Sequence, residues 1–342
     1  MAPDPMIDRR DLQARIDALP RVSLAHLPTP LDECPRAAAG LGLDRLRIKR
    51  DDCTGLGFGG NKVRQHEFVL GDALDAGFDT VIQGSASQSN HSRQLAAAGA
   101  KLGLEVHLMP KQDHMSDPIQ GNHLISRRFG ATIHPLAATE STIAAKEALA
   151  EELRADGKTP YLVGMGADRS LALAAVAYVQ AMIELIDQCA GALPQVIYSG
   201  SQGSTQVGLL LGARLLGLDV QVVGVNPLDD RHEAYLSVQQ ILDVGAAAAG
   251  LLGLDSPLAL EDIVNDTRFV GEAYGIPSPA GLEAMDLLGT SEGILLDPIY
   301  SGKAFSGLMA LTQEQDVSDA LFLHTGGLPA LFAYADQLEA NG

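Results

Sequence analysis

The sequence predicts an open α/β fold made of two twisted domains. Short runs rich in β-branched residues alternate with longer segments of helical periodicity along most of the chain. Most of the short runs are continuously apolar, which is typical of strands buried on both faces of a parallel sheet. With 342 residues, the chain is long enough for about two domains of ordinary size. The number of candidate strands favours two sheets over one.

The candidate strands are short, and helical segments separate many of them. In chain order they are residues 46–49, 80–83, 105–109, 132–135, 161–163, 195–198, 220–225, 294–296 and 321–324. The clearest helical segments are residues 66–76, 92–102, 171–188 and 205–216. Because ligands of open α/β folds bind beyond the carboxyl ends of the strands, functional residues are expected in the loops that follow them.

The composition argues against several classes of protein. The 24 Lys and Arg residues against 43 Asp and Glu residues give a net charge of −19, which disfavours nucleic acid and anionic membranes as partners. Cys34, Cys53 and Cys189 are widely separated, so neither a disulfide framework nor a metal site is expected. The first residues lack the apolar core of a secretory signal, and the longest apolar run is shorter than a membrane span. These features predict a cytoplasmic protein.

A glycine-rich loop, residues 51–60, separates a predicted strand from Lys62 at the start of a helix. The positive end of the helix dipole disfavours an ammonium there, and partial burial would lower the pKa of Lys62 further. A lysine that forms an imine must be a neutral amine, so the position suits covalent catalysis. The same pattern also fits a solvated lysine after a flexible loop.

Two other loops have the composition of anion-binding sites. Residues 84–93, with Ser89, Asn90 and His91, offer hydroxyl and amide groups at a helix N-terminus that suit a carboxylate, although they also fit a simple helix cap. Residues 199–208, with Gly203 to Thr205, resemble a phosphate cradle. This segment has neither a Walker A lysine nor a G-x-G-x-x-G pattern, so a phosphate outside a nucleotide fits best, and an ordinary Gly/Ser turn is the alternative. Residues 297–303 and 324–327 also follow predicted strands; a tyrosine there, such as Tyr300, is more often a packing residue.

Taken in order, the motifs resemble the family of pyridoxal-phosphate (PLP) enzymes that includes D-cysteine desulfhydrase and 1-aminocyclopropane-1-carboxylate (ACC) deaminase. This family has the tryptophan synthase β-subunit-like fold, also called PLP fold type II. The matching motifs are T-P-L at 29–31, K-R-D-D at 49–52, G-G-N-K-x-R at 59–64, Q-S-N-H at 88–91, Y-G-I-P at 274–277, D-P-I-Y-x-G-K at 297–303 and H-T-G-G at 324–327. The likeness runs from about residue 27 to residue 334.

The resemblance implies a role for each matching residue. Lys62 would hold PLP as a Schiff base and move the substrate proton, with Ser89, Tyr274 and Tyr300 completing the catalytic set. The cofactor-binding residues would be Asn61 toward the 3′-oxygen, Gly203, Ser204 and Thr205 at the phosphate, Ser301 near the pyridine nitrogen, and Thr325. Ser89, Asn90 and His91 would bind the substrate, a small amino acid.

The resemblance also implies a homodimer whose active site lies in a cleft between two domains. We expect residues 1–65 and 171–342 to form a larger, PLP-binding domain and residues 66–170 to form a smaller α/β domain. Ser89 would then lie in the smaller domain and Tyr300 in the larger one, so that domain closure would bring them together.

Departures from the family pattern bear on the reaction. ACC deaminases carry Glu where this chain has Ser301, and desulfhydrases carry Thr. His91 follows the desulfhydrase pattern, whereas the run from Gly203 to Gln206 is closer to the deaminase version. Many relatives have Lys where this chain has Gln65, so the phosphate would lose one positive charge. A neutral hydroxyl at position 301 makes a weaker electron sink, which is sufficient for β-elimination and less suited to opening the ACC ring.

The sequence therefore predicts a PLP-dependent carbon–sulfur lyase, similar to D-cysteine desulfhydrase, that eliminates the β-substituent of a small amino acid and releases pyruvate, ammonia and sulfide. The leaving group stays open among thiol, sulfonate, chloride and hydroxyl. The alternatives are an L-cysteate sulfo-lyase that releases sulfite, an ACC deaminase, a racemase or dehydratase with the same cofactor, and a non-catalytic protein that binds PLP or an amino acid.

Overall fold

In a computed structural model, which describes residues 5–200 and 203–339, ten strands form two separate sheets. The strands are β1 (Leu31–Glu33), β2 (Arg45–Arg50), β3 (Thr80–Ala86), β4 (Glu105–Lys111), β5 (Thr132–Ile133), β6 (Pro160–Leu162), β7 (Val196–Gly200), β8 (Gln221–Val225), β9 (Val264–Asp266) and β10 (Asp319–His324).

The α-helices occupy most of the chain between the strands. They are α1 (Arg9–Asp17), α2 (Pro35–Leu41), α3 (Asn61–Asp75), α4 (Asn90–Leu102), α5 (Gly121–Arg128), α6 (Thr142–Ala155), α7 (Asp168–Gln188), α8 (Ser204–Leu215), α9 (Val238–Leu251), α10 (Pro279–Glu292), α11 (Ser301–Glu314), α12 (Leu328–Ala333) and α13 (Ala335–Glu339). Short 3₁₀ segments lie at Asp51–Cys53, Leu56–Phe58 and Leu260–Asp262.

Both sheets are largely parallel. The six-stranded sheet has the order β1-β2-β10-β7-β8-β9, and only its edge strand β1 runs antiparallel to its neighbour. The four-stranded sheet has the order β5-β4-β3-β6, with parallel pairs throughout. Central strands such as β7 are buried along their whole length, which explains their continuously apolar sequences. The carboxyl ends of the parallel strands within each sheet therefore share one edge.

Helix α7 is the central packing element of the larger core. Its residues Leu173, Val176 and Val179 are fully buried and belong to one cluster with Leu209 and Leu210 of α8. The 21-residue helix is long and apolar enough to cross a membrane, but 72% of its most apolar 18-residue stretch is buried inside the protein. This burial is characteristic of the core helix of a folded domain.

The two sheets have partly separate hydrophobic cores. On the six-stranded sheet, Phe322 of β10 packs edge-on against Phe305 of α11, with ring centroids 5.1 Å apart. A smaller cluster around Ile82 and Met109 belongs to the four-stranded sheet. Every strand of that sheet lies within residues 66–170. The predicted domain boundaries remain a proposal, which this separation supports.

A buried network of charges holds the start of α3 against α7 and β2. The Arg64 guanidinium donates to the Asp51 carboxylate at 2.9 Å and to Glu184 at 2.8 Å. Lys49 pairs with the same Glu184, and the Tyr178 hydroxyl donates to Asp51 at 2.6 Å. Two cations and two anions thus balance each other in the interior, where an unpaired charge would be costly.

All predicted strands but one overlap strands of the structure. The prediction was wrong for residues 294–296, which pair with no strand in the described part of the chain. Ile294 and Leu296 are buried beside an exposed Leu295, whose carbonyl accepts a hydrogen bond from His324 Nε2 at 2.8 Å. The apolar run therefore reflects burial without sheet pairing. Strands β1 and β9 were missed because each has only three residues and no apolar run.

Candidate functional site

Two adjacent cavities, of about 290 and 230 Å³, lie where the carboxyl ends of strands from both sheets converge. The larger cavity is bordered by Ser85 of β3, Gly200 of β7 and Thr325 just after β10. Asn90 and several other residues border both the larger and the smaller cavity. This is the position at which open α/β proteins bind ligands.

Most of the predicted site residues line these cavities. The larger cavity is lined by Asn61, Lys62, Ser89, Asn90, His91, Gly203, Ser204, Thr205, Tyr300 and Thr325. Tyr274 lines the smaller cavity, which Asn90, His91 and Tyr300 also border. Ser301 lines neither. Ser89, at the start of α4, and Tyr300, at the start of α11, thus border the same cavity.

Two glycines shape the approach of the chain to Lys62. Gly59 and Gly60 have φ values of 69° and 129°, which side chains of L-residues rarely tolerate. A Cβ at Gly59 would collide with the Asp52 carbonyl oxygen. The backbone N–H of Asn61 then donates to the Thr325 carbonyl at 3.0 Å, which fixes the first turn of α3 against the end of β10.

The side chain of Lys62 lies in the first turn of α3 and faces the larger cavity. Burial lowers the pKa of its ammonium to about 8. Within the described part of the chain, its Nζ makes no hydrogen bond or ion pair. At pH 7 about a tenth of such amines are neutral, compared with fewer than about one in a thousand at the ordinary lysine value. Lys62 is therefore suited to act as a nucleophile and as a proton acceptor.

The phosphate-like cradle begins directly after β7. Gly203, with φ of 133°, precedes the first turn of α8, where Ser204 and Thr205 line the cavity. Ser201 and Gln202, which complete the predicted loop from residue 200 to 205, lie outside the described residues. A Cβ at Gly203 would approach Leu236 within 3.0 Å, so this close backbone turn requires glycine. The N–H groups and the positive dipole end of a helix N-terminus suit an anion.

Gln65 reaches this cradle from α3. Its Nε2 donates to Thr205 Oγ1 at 3.0 Å, and Asn61 Nδ2 donates to the same oxygen at 3.2 Å. Because the two amides occupy the lone pairs of the hydroxyl, its proton is free to be donated to a ligand. The lysine that many relatives have at position 65 is thus replaced by a neutral Gln65, which would act on a phosphate only through Thr205. The described residues fit a phosphate that is bound by N–H and hydroxyl groups.

Asn90 is held in one orientation at the start of α4. Its Oδ1 accepts from Asn122 Nδ2 at 2.9 Å, with Arg93 at 3.5 Å from the same oxygen. Its Nδ2 is therefore left as a donor toward the cavity. The preceding Ser89 caps the helix, since its hydroxyl accepts from the backbone N–H of Ser92 at 3.2 Å. A donor amide beside a helix N-terminus suits a carboxylate.

Two tyrosines that are in contact with each other line the smaller cavity. The hydroxyls of Tyr274 and Tyr300 lie 2.7 Å apart, and burial together with the neighbouring Tyr300 raises the pKa of Tyr274 well above its usual value. Lys303, which the sequence analysis did not assign, donates to the carbonyls of Val270 and Ala273 at 2.6 and 3.0 Å. It thereby fixes the segment that carries Tyr274. The position of Lys303 at the end of the D-P-I-Y-x-G-K motif could have identified it from the sequence.

Ser301 is fully buried at the start of α11 and is bound to Asp297. Its hydroxyl donates to Asp297 Oδ2 at 2.6 Å, and the same carboxylate accepts the backbone N–H groups of Ile299 and Tyr300. The contact of Ser301 with a pyridine nitrogen stays a prediction. The structure adds that its proton is already committed and that its oxygen accepts the Asp297 backbone N–H at 2.7 Å, so Ser301 could only accept one further hydrogen bond from a ligand.

His66 is a cavity residue that the sequence analysis missed. It lies one helical turn after Lys62 on α3, is 1% exposed, and neither ring nitrogen has a hydrogen-bond partner among the described residues. Burial, and then the charge of Lys62, lower the pKa of His66 to about 3. The spacing of four residues from Lys62 predicts a shared helix face and could have drawn attention to it. Over residues 5–200 and 203–339, no three His, Cys, Asp or Glu side chains are grouped to hold a metal ion.

Comparisons with known proteins agree with the predicted family. The family described as pyridoxal-phosphate dependent enzyme matches residues 22–326. D-cysteine desulfhydrase of Salmonella choleraesuis is 40% identical over 333 residues, which cover 92% of this chain and 96% of that protein. The enzyme of the same name from Salmonella paratyphi C is 39% identical with the same coverage. A crystal structure described as an ACC deaminase homologue is 31% identical and superposes with a TM-score of 0.87, covering 98% of this chain and 100% of that one.

Proposed function

The chain belongs to the family of pyridoxal-phosphate dependent enzymes, and from this premise we propose that it is a lyase that eliminates the β-substituent of a small amino acid such as D-cysteine. The products would be pyruvate, ammonia and, from D-cysteine, sulfide. The observation that carries the proposal is the position of Lys62. Its amine, which has a lowered pKa and no partner among the described residues, shares one cavity with a helix N-terminus suited to a phosphate and with the Asn90 amide donor.

When bound, PLP supplies an electron-accepting ring that stabilises negative charge on the α-carbon of an amino acid. In the proposed arrangement, Gly203, Ser204 and Thr205 hold its phosphate through N–H and hydroxyl donors. Gln65 acts through Thr205. Asn90 Nδ2 orients the substrate by donating to its carboxylate. These contacts place the α-hydrogen within reach of a proton acceptor, which is the general contribution of a binding site to rate.

Lys62 Nζ is the proposed acceptor of the α-proton, because about a tenth of this amine is neutral at pH 7, far more than of an ordinary lysine. The hydroxyl pair of Tyr274 and Tyr300 lies on the substrate side and can pass a proton between the two oxygens at 2.7 Å. Lys62 and the two tyrosines are each only partly exposed. The cavity thus has a proton acceptor and a proton donor on its walls.

The surroundings of Ser301 support elimination over ring opening. Its proton is committed to Asp297, so toward a pyridine nitrogen it offers only a neutral acceptor. A neutral acceptor stabilises a protonated ring less than a carboxylate does. Elimination needs only a modest electron sink, because the leaving group carries the negative charge away. Opening the ACC ring has no such outlet.

A screen for keto-acid release tests the proposal. The holoenzyme would be assayed with D-cysteine, L-cysteine, L-cysteate, β-chloroalanine and ACC, with Lys62→Ala as the inactive control. We expect pyruvate from at least one β-substituted alanine and little 2-oxobutyrate from ACC. Faster turnover of ACC than of every β-substituted amino acid would overturn the proposed reaction.

We further infer a cytoplasmic homodimer with two domains bounded at residues 1–65 with 171–342 and 66–170. The separate sheets and partly separate cores support the division. Sedimentation equilibrium of the holoenzyme tests the dimer: a single species of monomer mass at micromolar concentration would contradict it.

A further inference from the structure

Arg93, on α4, is a buried cation without an ionic partner among the described residues. Three arginine side chains are almost fully buried in this part of the chain, those of Arg47, Arg64 and Arg93. Arg47 pairs with Asp319 at 2.8 Å, and Arg64 pairs with Asp51 at 2.9 Å. Arg93 is 0% exposed, and its contacts are with neutral groups. Because burying an unpaired charge is costly, this guanidinium is expected to have a role besides stabilising the fold.

The guanidinium of Arg93 binds oxygen atoms of two separate segments. Its Nη1 donates to the Gly57 carbonyl, and its Nη2 donates to the Gly59 carbonyl at 3.1 Å. Both carbonyls belong to the glycine-rich loop that leads to Lys62. Its Nε donates to Oδ1 of Asn122, in the first turn of α5, at 2.7 Å. The planar fork of an arginine can serve three such acceptors at once, whereas the compact ammonium of a lysine lacks this geometry.

Asn122 extends this contact to Asn90, the amide donor of the larger cavity. Its Nδ2 donates to Asn90 Oδ1 at 2.9 Å and to the Gln88 carbonyl at 2.8 Å. Since Asn122 Oδ1 accepts from Arg93, the amino group of Asn122 has to face Asn90. The guanidinium thereby sets the orientation of both amides, and it leaves Asn90 Nδ2 as the group that faces a ligand.

Gln94, the next residue on α4, contacts the chain just after Lys62. It is fully buried, and its Oε1 accepts the backbone N–H of Val63, in the first turn of α3, at 2.9 Å. A Cβ at Gly60 would lie 2.4 Å from Gln94 Nε2, so this close approach requires glycine. Lys62 therefore lies between a loop that is bound by Arg93 and a helical turn that is bound by Gln94.

We propose that Arg93 is a positioning residue that holds the amine of Lys62 and the amide of Asn90 in a fixed mutual arrangement. Gln94 assists at Lys62, and Asn122 carries the contact to Asn90. The inference rests on the proposed function, in which these two groups act on the same substrate. One takes its α-proton, and the other binds its carboxylate.

The contacts of Arg93 also cross the boundary between the two proposed domains. Arg93 lies within residues 66–170, whereas the carbonyls of Gly57 and Gly59 belong to residues 1–65. A misplacement of reacting groups by about 1 Å can lower a rate about a hundredfold. A rigid bridge across this boundary explains why an unpaired cation is kept in the interior.

The experiment uses two measurements that do not require turnover. The rate of covalent PLP attachment to apoprotein reports on Lys62. The Kd of propanoate for the PLP-loaded protein, followed by visible absorption, reports on Asn90, because propanoate has a carboxylate and no amino group. Arg93→Lys keeps the charge but loses the fork, so attachment should slow at least about tenfold and propanoate should bind at least about fivefold more weakly. The pH midpoint of attachment should stay at about 8, because burial lowers the pKa of Lys62 to about 8.

Three further variants separate the two contacts. Gln94→Met should slow attachment and leave the Kd of propanoate within about threefold of wild type. Asn122→Asp still accepts from Arg93 but no longer donates to Asn90, so it should weaken propanoate and leave attachment nearly unchanged. Arg47→Lys is the matched control, because it removes a buried guanidinium that lines neither cavity. It should behave as wild type in both measurements.

Several results would overturn the inference. Wild-type behaviour of Arg93→Lys would show that the fork is not needed, and a shifted pH midpoint would show that Arg93 acts on Lys62 through its charge. Equal losses in Arg47→Lys would indicate a general loosening of the fold. If Arg93→Lys does not fold, Gln94→Met and Asn122→Asp still decide, because effects of both variants on both measurements would contradict the two separate contacts. Failure of the proposed reaction would be seen independently in the keto-acid screen.

Discussion

The hydroxyl of Thr205 offers a sharp test of the phosphate cradle. It accepts hydrogen bonds from Asn61 at 3.2 Å and Gln65 at 3.0 Å, so its own proton is available to a ligand. Thr205→Val removes this proton with little change in shape, whereas Thr205→Ser retains it. The side chain is 2% exposed, so water does not readily replace the lost group.

The expected magnitude follows from the charge of the phosphate. A hydrogen bond to a charged group contributes about 1.5–3 kcal/mol, so Thr205→Val should raise the Kd for PLP by about ten- to 150-fold. The amides of Asn61 and Gln65 lose their acceptor in this variant, but they line the cavity and can turn toward the phosphate. This favours the lower end of the range. Thr205→Ser should stay within about threefold of wild type, because the hydroxyl remains.

Titration of apoprotein with PLP and with pyridoxal, which lacks the phosphate, isolates the contact. Thr205→Val should weaken PLP binding and leave pyridoxal binding unchanged. An equal loss for both ligands would show that the valine disturbs the cavity generally. An unchanged Kd for PLP would refute the assignment of this helix N-terminus to the phosphate.

The remaining predictions concern Lys62 and the buried network beneath it. Borohydride reduction of the holoenzyme should fix the pyridoxyl group on Lys62, as peptide mapping would show, and a label on any other residue would contradict the site. The rate of covalent PLP attachment to apoprotein should rise with pH and level off above about 8, because burial lowers the pKa of Lys62 to about 8 and only the neutral amine reacts; a rate that keeps rising to pH 10 would contradict that shift. Tyr178→Phe should reduce the free energy of unfolding by about 1–3 kcal/mol in urea titrations, since its hydroxyl donates to a buried aspartate at 2.6 Å. The matched variant Tyr198→Phe should cost nothing, because that buried hydroxyl has no partner among the described residues; equal losses would indicate packing alone. Although burial would raise it, the hydrogen bonds and charges of Arg64 and Lys49 lower the pKa of Glu184 to about 2, so its stabilising contribution should be complete above pH 4.5 and be lost as the pH falls toward 2. Glu184→Gln should flatten this part of the stability curve, and an unchanged slope would contradict the assignment.

The elements that sequence predicted well are those whose burial follows from local pattern. Strands such as β7 and β8 are continuously apolar because both faces are covered, and this pattern is visible in a few residues. The two-domain α/β fold, the family and PLP as its cofactor are confirmed by the comparisons. The same signal failed at residues 294–296, since an apolar segment can be buried without joining a sheet. Pattern reports burial more directly than it reports pairing.

The candidate site was predicted only as far as each loop could be interpreted by itself. Gln65 was recognised as a neutral residue in place of a lysine. Its partner Thr205 is 140 residues away, and no local sequence pattern links the two. The link between Ser301 and Asp297 spans only four residues, yet a sequence does not show which way a hydroxyl proton points. Such orientation decides whether a group donates or accepts.

His66 shows what this means for substrate choice. Along the sequence it is one residue in a helix where several polar side chains make hydrogen bonds, as Gln65 does with Thr205 and Arg64 does with Asp51. Only the fold shows that His66 stands beside His91, with ring centroids 5.0 Å apart. Two chains with the same motif at Lys62 can therefore differ in the side chains that surround it. Substrate class in this fold is accordingly expected to depend on the residues behind the motifs as much as on the motifs themselves.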